Sequence, residues 1–331
     1  MQLTIAASSF MQLPDIGYQR AQRWTNGTLL SEPPFGAVLR SQSCSERTSR
    51  DRPYMRCGWQ QAFLCVSNTS VVAFVHVYKN AGTTVFRTMD AWCANDPRRT
   101  AFIVGNSNPS ASRLNRAVWL PLGLRSAESL SLAHFVQVAR HRVACGGARC
   151  TAPHPPYDPP APLFLFTVVR DPIERSISAY HELVWRGSHD RKVHPRGFNG
   201  SFESFGSSFN ESGGFFWNEH TYPQWLMLVD RDGPLPLSYI VELRDLDGVL
   251  GALFPQESQE TPASKSPAII PHIDGPSDHS SSDDAAVVVL RDELVRRLCR
   301  LFAGDYLAFS LELPAVCRAE ADGAFRHLWS G

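Results

Sequence analysis

The chain has 331 residues, with 32 Lys plus Arg against 32 Asp plus Glu, so its formal net charge is +0. That balance excludes the broad positive field that attracts nucleic acid and leaves room only for a local cationic cleft. A hydrophobic content of 43% is enough for one large core or two smaller ones.

Residues 1–67 are polar and rich in Ser and Arg, and they read as a stem or loosely attached extension. Residues 1–30 contain no 18-residue apolar span and no signal-peptide core, so no membrane anchor is visible. The core is expected to begin near Val71. Val71–Val77 is an almost unbroken apolar, β-branched run, the pattern of a strand covered on both faces in a parallel α/β sheet. It stops at Tyr78-Lys79-Asn80-Ala81-Gly82, where Gly82 permits a tight turn and a close ligand approach. Thr83 and Thr84 open a helical stretch, Val85–Trp92. A helix start presents unpaired N–H groups and a partial positive charge, which suits phosphate or sulfate, and Lys79 adds a cation beside it. This is no Walker A loop, because the lysine precedes the glycine and no earlier glycine opens the turn.

Ala101–Val104 is a short apolar run, and residues 145–162 form a Gly- and Pro-rich loop. Leu163–Val169 (LFLFTVV) is a second buried strand. Asp171 is placed to cap a helix whose first residue is Pro172, with Ile173, Ile177, Tyr180 and Val184 on its apolar face. Arg170 sits at the carboxyl end of the strand, where open α/β sheets bind ligands. Arg175 and Ser178 are three residues apart and share a helix face, so a guanidinium and a hydroxyl could grip a phosphate there. Residues 186–214 read as a polar surface insertion, Leu237–Leu243 as a strand, 256–284 as a polar loop and Ala285–Phe302 as a helix with Leu290, Leu294, Leu298 and Leu301 on one face. No internal repeat is apparent.

The eight cysteines (44, 57, 65, 93, 145, 150, 299 and 317) permit four disulfides of undetermined connectivity, and Cys145 with Cys150 could close a small loop. No Cys-x-x-Cys pair supports a zinc site. Four Asn-x-Ser/Thr sequons, at Asn26, Asn68, Asn199 and Asn210, tilt the location towards the secretory pathway.

Lys79-Asn80-Ala81-Gly82-Thr83-Thr84 resembles the 5′-phosphosulfate loop of sulfotransferases that use 3′-phosphoadenosine 5′-phosphosulfate (PAPS), and Arg170-Asp171-Pro172 through Ser178-Ala179-Tyr180 resembles their 3′-phosphate site. The likeness is to the Golgi carbohydrate sulfotransferases of the heparan and chondroitin or dermatan group. Asn218-Glu219-His220 with Pro223-Gln224, Tyr239–Glu242, and Arg300–Phe302 through Phe309 look like later signatures of that group. Many relatives read Pro-Lys-Thr-Gly-Gly-Thr in the first loop, so Tyr78, Asn80 and Ala81 depart from it.

The resemblance implies an α/β, P-loop-like three-layer fold with a central, mainly parallel sheet flanked by helices. It implies a catalytic domain over 68–314, leaving 1–67 as extension and 315–331 as tail. PAPS is then the co-substrate, with no metal, and a glycan hydroxyl the acceptor. Lys79 is the catalytic cation, residues 79–84 hold the 5′ end, and Arg170 and Ser178 bind the 3′-phosphate. A histidine or carboxylate is needed as base. His134, which lies between the two donor motifs, is the choice, with His220 and Glu219 as competitors. His76 reads as structural, and His181 as facing solvent or the cleft. The location implied is the Golgi lumen or secretory pathway. Two other classes stay open: a kinase with an atypical phosphate loop, and a non-catalytic glycan-binding relative. The acceptor sugar and the oligomeric state are not written in the sequence.

Overall fold

The computed structural model describes residues 13–25, 61–67, 69–105, 163–189, 200–207, 219–230, 233–255 and 290–320, together with the helical residues Leu132, Val136 and Ala139. A first helix, α1 (Asp15–Thr25), precedes strands β1 (Gln61–Val66) and β2 (Val71–His76), helix α2 (Gly82–Ala94) and strand β3 (Thr100–Gly105). Then come β4 (Leu163–Val169), α3 (Pro172–His189), α4 (Phe202–Ser207), the short strands β5 (Val229–Asp230) and β6 (Gly233–Pro234), and β7 (Tyr239–Glu242). Helices α5 (Leu246–Leu253), α6 (Asp292–Leu301), α7 (Ala303–Phe309) and α8 (Ala315–Glu320) close the order.

Five strands form one sheet in the order β3-β1-β2-β4-β7. β2, β4 and β7 pair in parallel, whereas β1 pairs antiparallel with both β2 and β3. The sheet is therefore mixed, and half of its neighbour pairs depart from the mainly parallel sheet expected. The departure comes from β1, which lies in the stretch expected to be an extension. Gln61–Val66 is an apolar run joined to β2 by a Ser-rich tight turn, with Ser67 N–H donating to the Ser70 carbonyl at 2.9 Å. That is a hairpin signal, and a hairpin partner is antiparallel by construction.

Strand residues alternate between two cores, as the two-residue period of a pleated strand requires. Phe63, Phe74, Phe164, Phe166 and Val168 face α2 and α5. Leu64, Ala73, Val75, Leu165 and Val169 face the other way, towards α3, α6 and α7. Helices thus cover both faces of the sheet. Each fully buried aliphatic or aromatic side chain contributes on the order of 1.5–3 kcal/mol.

The expected boundaries at 67 and 314 do not mark the ends of the packed structure. Trp24 of α1 is fully buried, donates from Nε1 to the Leu235 carbonyl at 3.2 Å and lies against Phe309. Gly17 presses on the Tyr239 ring so closely that a Cβ would fall 2.1 Å from it, and the Tyr239 hydroxyl donates to the Pro14 carbonyl at 2.9 Å. Helix α1 thereby covers β7, an edge strand that would otherwise be open to pairing. At the other end, a Cys299–Cys317 disulfide ties α8 to α6, and a Cys65–Cys93 disulfide ties β1 to α2. Links of this kind stabilise by about 2–4 kcal/mol each and suit an oxidising compartment. The other four cysteines and all four sequon asparagines lie outside the described residues. Helix α6 begins at Asp292, later than expected, and Leu290 is exposed ahead of it. Among the described residues no helix is long and apolar enough to cross a membrane.

Candidate functional site

β2 and β4 are hydrogen-bonded parallel neighbours, with Val75 opposite Thr167. Their carboxyl ends, and the turns that follow, therefore emerge side by side. This brings Lys79–Thr84 next to Arg170–Ser178.

The first turn is held in an unusual conformation. Lys79 (φ 69°) and Ala81 (φ 55°) are both left-handed, and neither is glycine. Such a backbone costs on the order of 1–2 kcal/mol per residue and persists only where the surroundings over-determine it. Asn80, between them, is fully buried; its Nδ2 donates to the Val168 carbonyl at 2.9 Å and to Gln224 Oε1 at 2.6 Å. Arg175 Nε donates to the Tyr78 carbonyl at 2.8 Å. Gly82 is not among the residues of this turn at positive φ. It supplies room, because a Cβ there would lie 2.0 Å from the imidazole of His76. Helix α2 then begins with no side-chain cap and no acidic residue in its first turn, and Thr83 and Thr84 are exposed. Its leading N–H groups and positive dipole end are available to an anion.

Lys79 reaches across to α3, where its Nζ meets Glu182 Oε2 at 3.1 Å in a half-buried pair. Glu182 was not singled out from the sequence. The available signal was helical spacing: Glu182 lies four residues after Ser178, so both lie on the face of α3 that meets the first turn. Ser178 is half-buried there.

The second turn is built differently. Asp171 Oδ1 accepts the N–H groups of Ile173 at 2.9 Å and Glu174 at 3.0 Å, and its Oδ2 accepts the Tyr306 hydroxyl at 2.9 Å. The N-terminus of α3 is therefore occupied by its own carboxylate. Burial raises the pKa of Asp171, against the pull of these hydrogen bonds. Arg170 pairs through Nε with Glu174 at 3.1 Å, and it keeps a quarter of its side chain exposed.

Arg175 lies three residues from Ser178 on the helix, but its guanidinium is buried and does not join Ser178 in the phosphate grip expected. It is 1% exposed, and besides the Tyr78 carbonyl it donates to the Tyr222 carbonyl at 2.5 Å. Its charge faces buried Asp305. Burial lowers the Arg175 pKa to about 10 and raises that of Asp305 to about 6, each partner opposing the shift of the other. Arg175 is a clamp on the first turn from below, out of reach of a ligand in the cleft.

The histidines separate by environment. His134 lies outside the described residues. Burial, then the nearby Lys79 and Arg175, depress His76 to about 4, and its Nδ1 lies 3.2 Å from Gln61 Oε1. It is neutral and wedged under the turn. His220 is buried, its ring 4.8 Å from Tyr78. His181, half-buried beside Tyr180, has its pKa lowered by burial and by the nearby Lys79.

A cleft of about 500 Å³ opens elsewhere, at the end of β7 between α1 and α5. Its two guanidiniums, Arg20 and Arg244, both bond Glu242, and Asp245 lines the same cleft, so the charges around it balance. Among the described residues no group of three or more His, Cys, Asp or Glu side chains is placed to hold a metal ion. Comparison with known proteins returned no matching family model, no similar curated protein and no similar solved structure.

Proposed function

We propose that this chain is a sulfotransferase that moves a sulfuryl group from PAPS to an acceptor hydroxyl, on a carbohydrate. The observation that carries the reading is the adjacency of the two turns: an uncapped helix start beside Lys79, next to Arg170 at the end of β4 and the helix α3 that carries Ser178. A doubly phosphorylated nucleotide has one anionic group for each.

In this reading the N–H groups of Gly82–Thr84 and the ammonium of Lys79 take the 5′-phosphosulfate, and Arg170 with Ser178 takes the 3′-phosphate. The bond from sulfur to the phosphate oxygen breaks as the bond from sulfur to the acceptor oxygen forms in line. The leaving oxygen gains negative charge, which Lys79 and the helix start stabilise. The acceptor proton passes to a base, proposed to be His134. The residues fit an anionic donor with one condition: Lys79 and Arg170 are already paired, with Glu182 and Glu174. The donor must compete with those carboxylates, and the Arg170 pair is the more exposed of the two. The disulfides suit a secretory setting, and the Golgi lumen is the location proposed.

The test is thermal stability with the desulfated product 3′-phosphoadenosine 5′-phosphate (PAP), and separately with ATP plus magnesium. A ligand that binds only the folded state raises the melting temperature by mass action. A rise with PAP alone is expected. A rise only with ATP and magnesium overturns the reading in favour of a kinase.

A further inference from the structure

Gln224 lies beneath both turns and is fully buried. Its Oε1 accepts from Asn80 Nδ2 at 2.6 Å and from the Arg170 backbone N–H at 2.9 Å. Its Nε2 donates to the Arg170 carbonyl at 2.7 Å and, more loosely, to Asp305 Oδ2 at 3.5 Å. Both partners of the oxygen are donors and both partners of the nitrogen are acceptors, so the amide has one orientation that satisfies it. Asp305 in turn accepts the N–H of Trp225 at 2.9 Å, which seats the backbone next to Gln224. One side chain therefore holds the peptide groups of Arg170 on both sides, as a neighbouring strand would, while also holding Asn80, the buried residue between the two left-handed positions of the first turn.

We infer that Gln224 is a positioning residue that sets the spacing between the two turns, so that a ligand with two anionic ends binds both cooperatively. This rests on the proposed doubly phosphorylated donor. Gln224 itself is too buried to touch a ligand, and it acts through Asn80 and Arg170. Asn80 sits between Lys79 and Ala81, both held at positive φ. Freed from Gln224, the turn can relax out of that conformation, and Lys79 and the start of α2 lose their register with Arg170. The first end still carries Lys79 and the N–H groups of its helix start, and the second still carries Arg170, so a ligand that engages one end only is barely affected.

The experiment measures PAP and 5′-AMP affinity calorimetrically for the wild-type chain, Gln224→Met and Gln224→Glu. Met removes all four hydrogen bonds at similar volume. Glu keeps the accepting oxygen but turns the donor facing the Arg170 carbonyl into a second acceptor. Both variants are expected to weaken PAP by 10- to 100-fold and 5′-AMP by less than threefold. Equal losses for the two ligands, or no loss for either, overturn the inference while leaving a PAP-selective wild type in place. A wild type that binds PAP no better than 5′-AMP overturns the donor reading, and the inference falls with it. A second measurement leaves Gln224 intact in case its variants do not fold. Lys79→Ala and Arg170→Ala, singly and together, are compared for PAP binding. Coupled ends predict a double variant that differs from the product of the single effects by more than threefold. Strict additivity overturns the coupling.

Discussion

The turn after β2 and the turn after β4 leave the same edge of the sheet, yet their helices start in opposite electrostatic states. Helix α2 starts bare: no side chain caps it, no acidic residue lies in its first turn, and two threonines face solvent. Helix α3 starts closed, with Asp171 accepting two of its leading N–H groups and a tyrosine hydroxyl besides. An anion at the first turn can use backbone groups and the helix dipole. An anion at the second has to be held by side chains, which leaves Arg170 and Ser178. The same contrast appears in the backbone. The first turn holds two non-glycine residues at positive φ, whereas the second follows ordinary proline-initiated helix geometry. A backbone like that of the first turn persists only where the surrounding structure over-determines it.

The comparison can be broken most sharply at Lys79. Lys79→Ala should cut sulfuryl transfer on the order of 100- to 1000-fold, the cost of removing one group aimed at developing charge, with melting temperature little changed. Wild-type turnover in a labelled-donor assay would remove the first turn from the chemistry. Arg170→Ala should weaken PAP about 10- to 100-fold, the loss of a charged hydrogen bond. An unchanged calorimetric affinity would show that the second turn does not bind the donor. Gly82→Ala forces a methyl group into His76 and should destabilise by about 1–3 kcal/mol. Urea unfolding checks it, and a neutral result would mean that the first turn is looser than described. Asp171→Ala should cost about 1–2 kcal/mol of stability through the lost cap, yet move PAP affinity less than threefold. A large affinity loss would make Asp171 part of the anion site instead of its lid.

The contrast extends to the response to acid, where the groups under the two turns act oppositely. His76, depressed to about 4, is neutral in the folded protein. The unfolded chain takes up that proton first, so stability is full above about pH 6.5 and is lost as pH falls towards 4. Asp305, raised to about 6, is protonated first in the folded protein. Its contribution grows as pH falls from about 6 towards 4. Each can contribute up to about 1.4 kcal/mol per pH unit. Unfolding measured between pH 6.5 and 4 should therefore show Asp305→Asn losing stability more steeply than wild type and His76→Gln less steeply. The reverse order would mean that one of the two environments has been misjudged.

Much of this arrangement was legible in local sequence. The limits of β4 and the Asp171–Pro172 start of α3 follow from an apolar β-branched run, a capping carboxylate and a proline at the first helical position, signals that lie within a few residues of what they specify. Strand β1 carried the same kind of signal, an apolar run before a Ser-rich turn, but its polar surroundings masked it. The candidate cations Lys79 and Arg170 were visible as types at the ends of strands.

The partners of those residues were not visible, because they come from positions far away in the chain. Lys79 meets Glu182, Asn80 meets Gln224, Trp24 meets Leu235 and Asp171 meets Tyr306 only once helices are packed on the sheet. Arg175 shows the limit most clearly. Its spacing from Ser178 places both on the helix, but which of them turns inward depends on where buried carbonyls and Asp305 lie in need of a donor and a counter-charge. The chain by itself determined two strand–turn–helix units with a cation in each. Tertiary packing decided that they stand side by side, that one helix start is open and the other closed, and that a single buried amide spans them, because hydrogen bonds and charges buried away from water have to be satisfied by whatever the fold brings within reach.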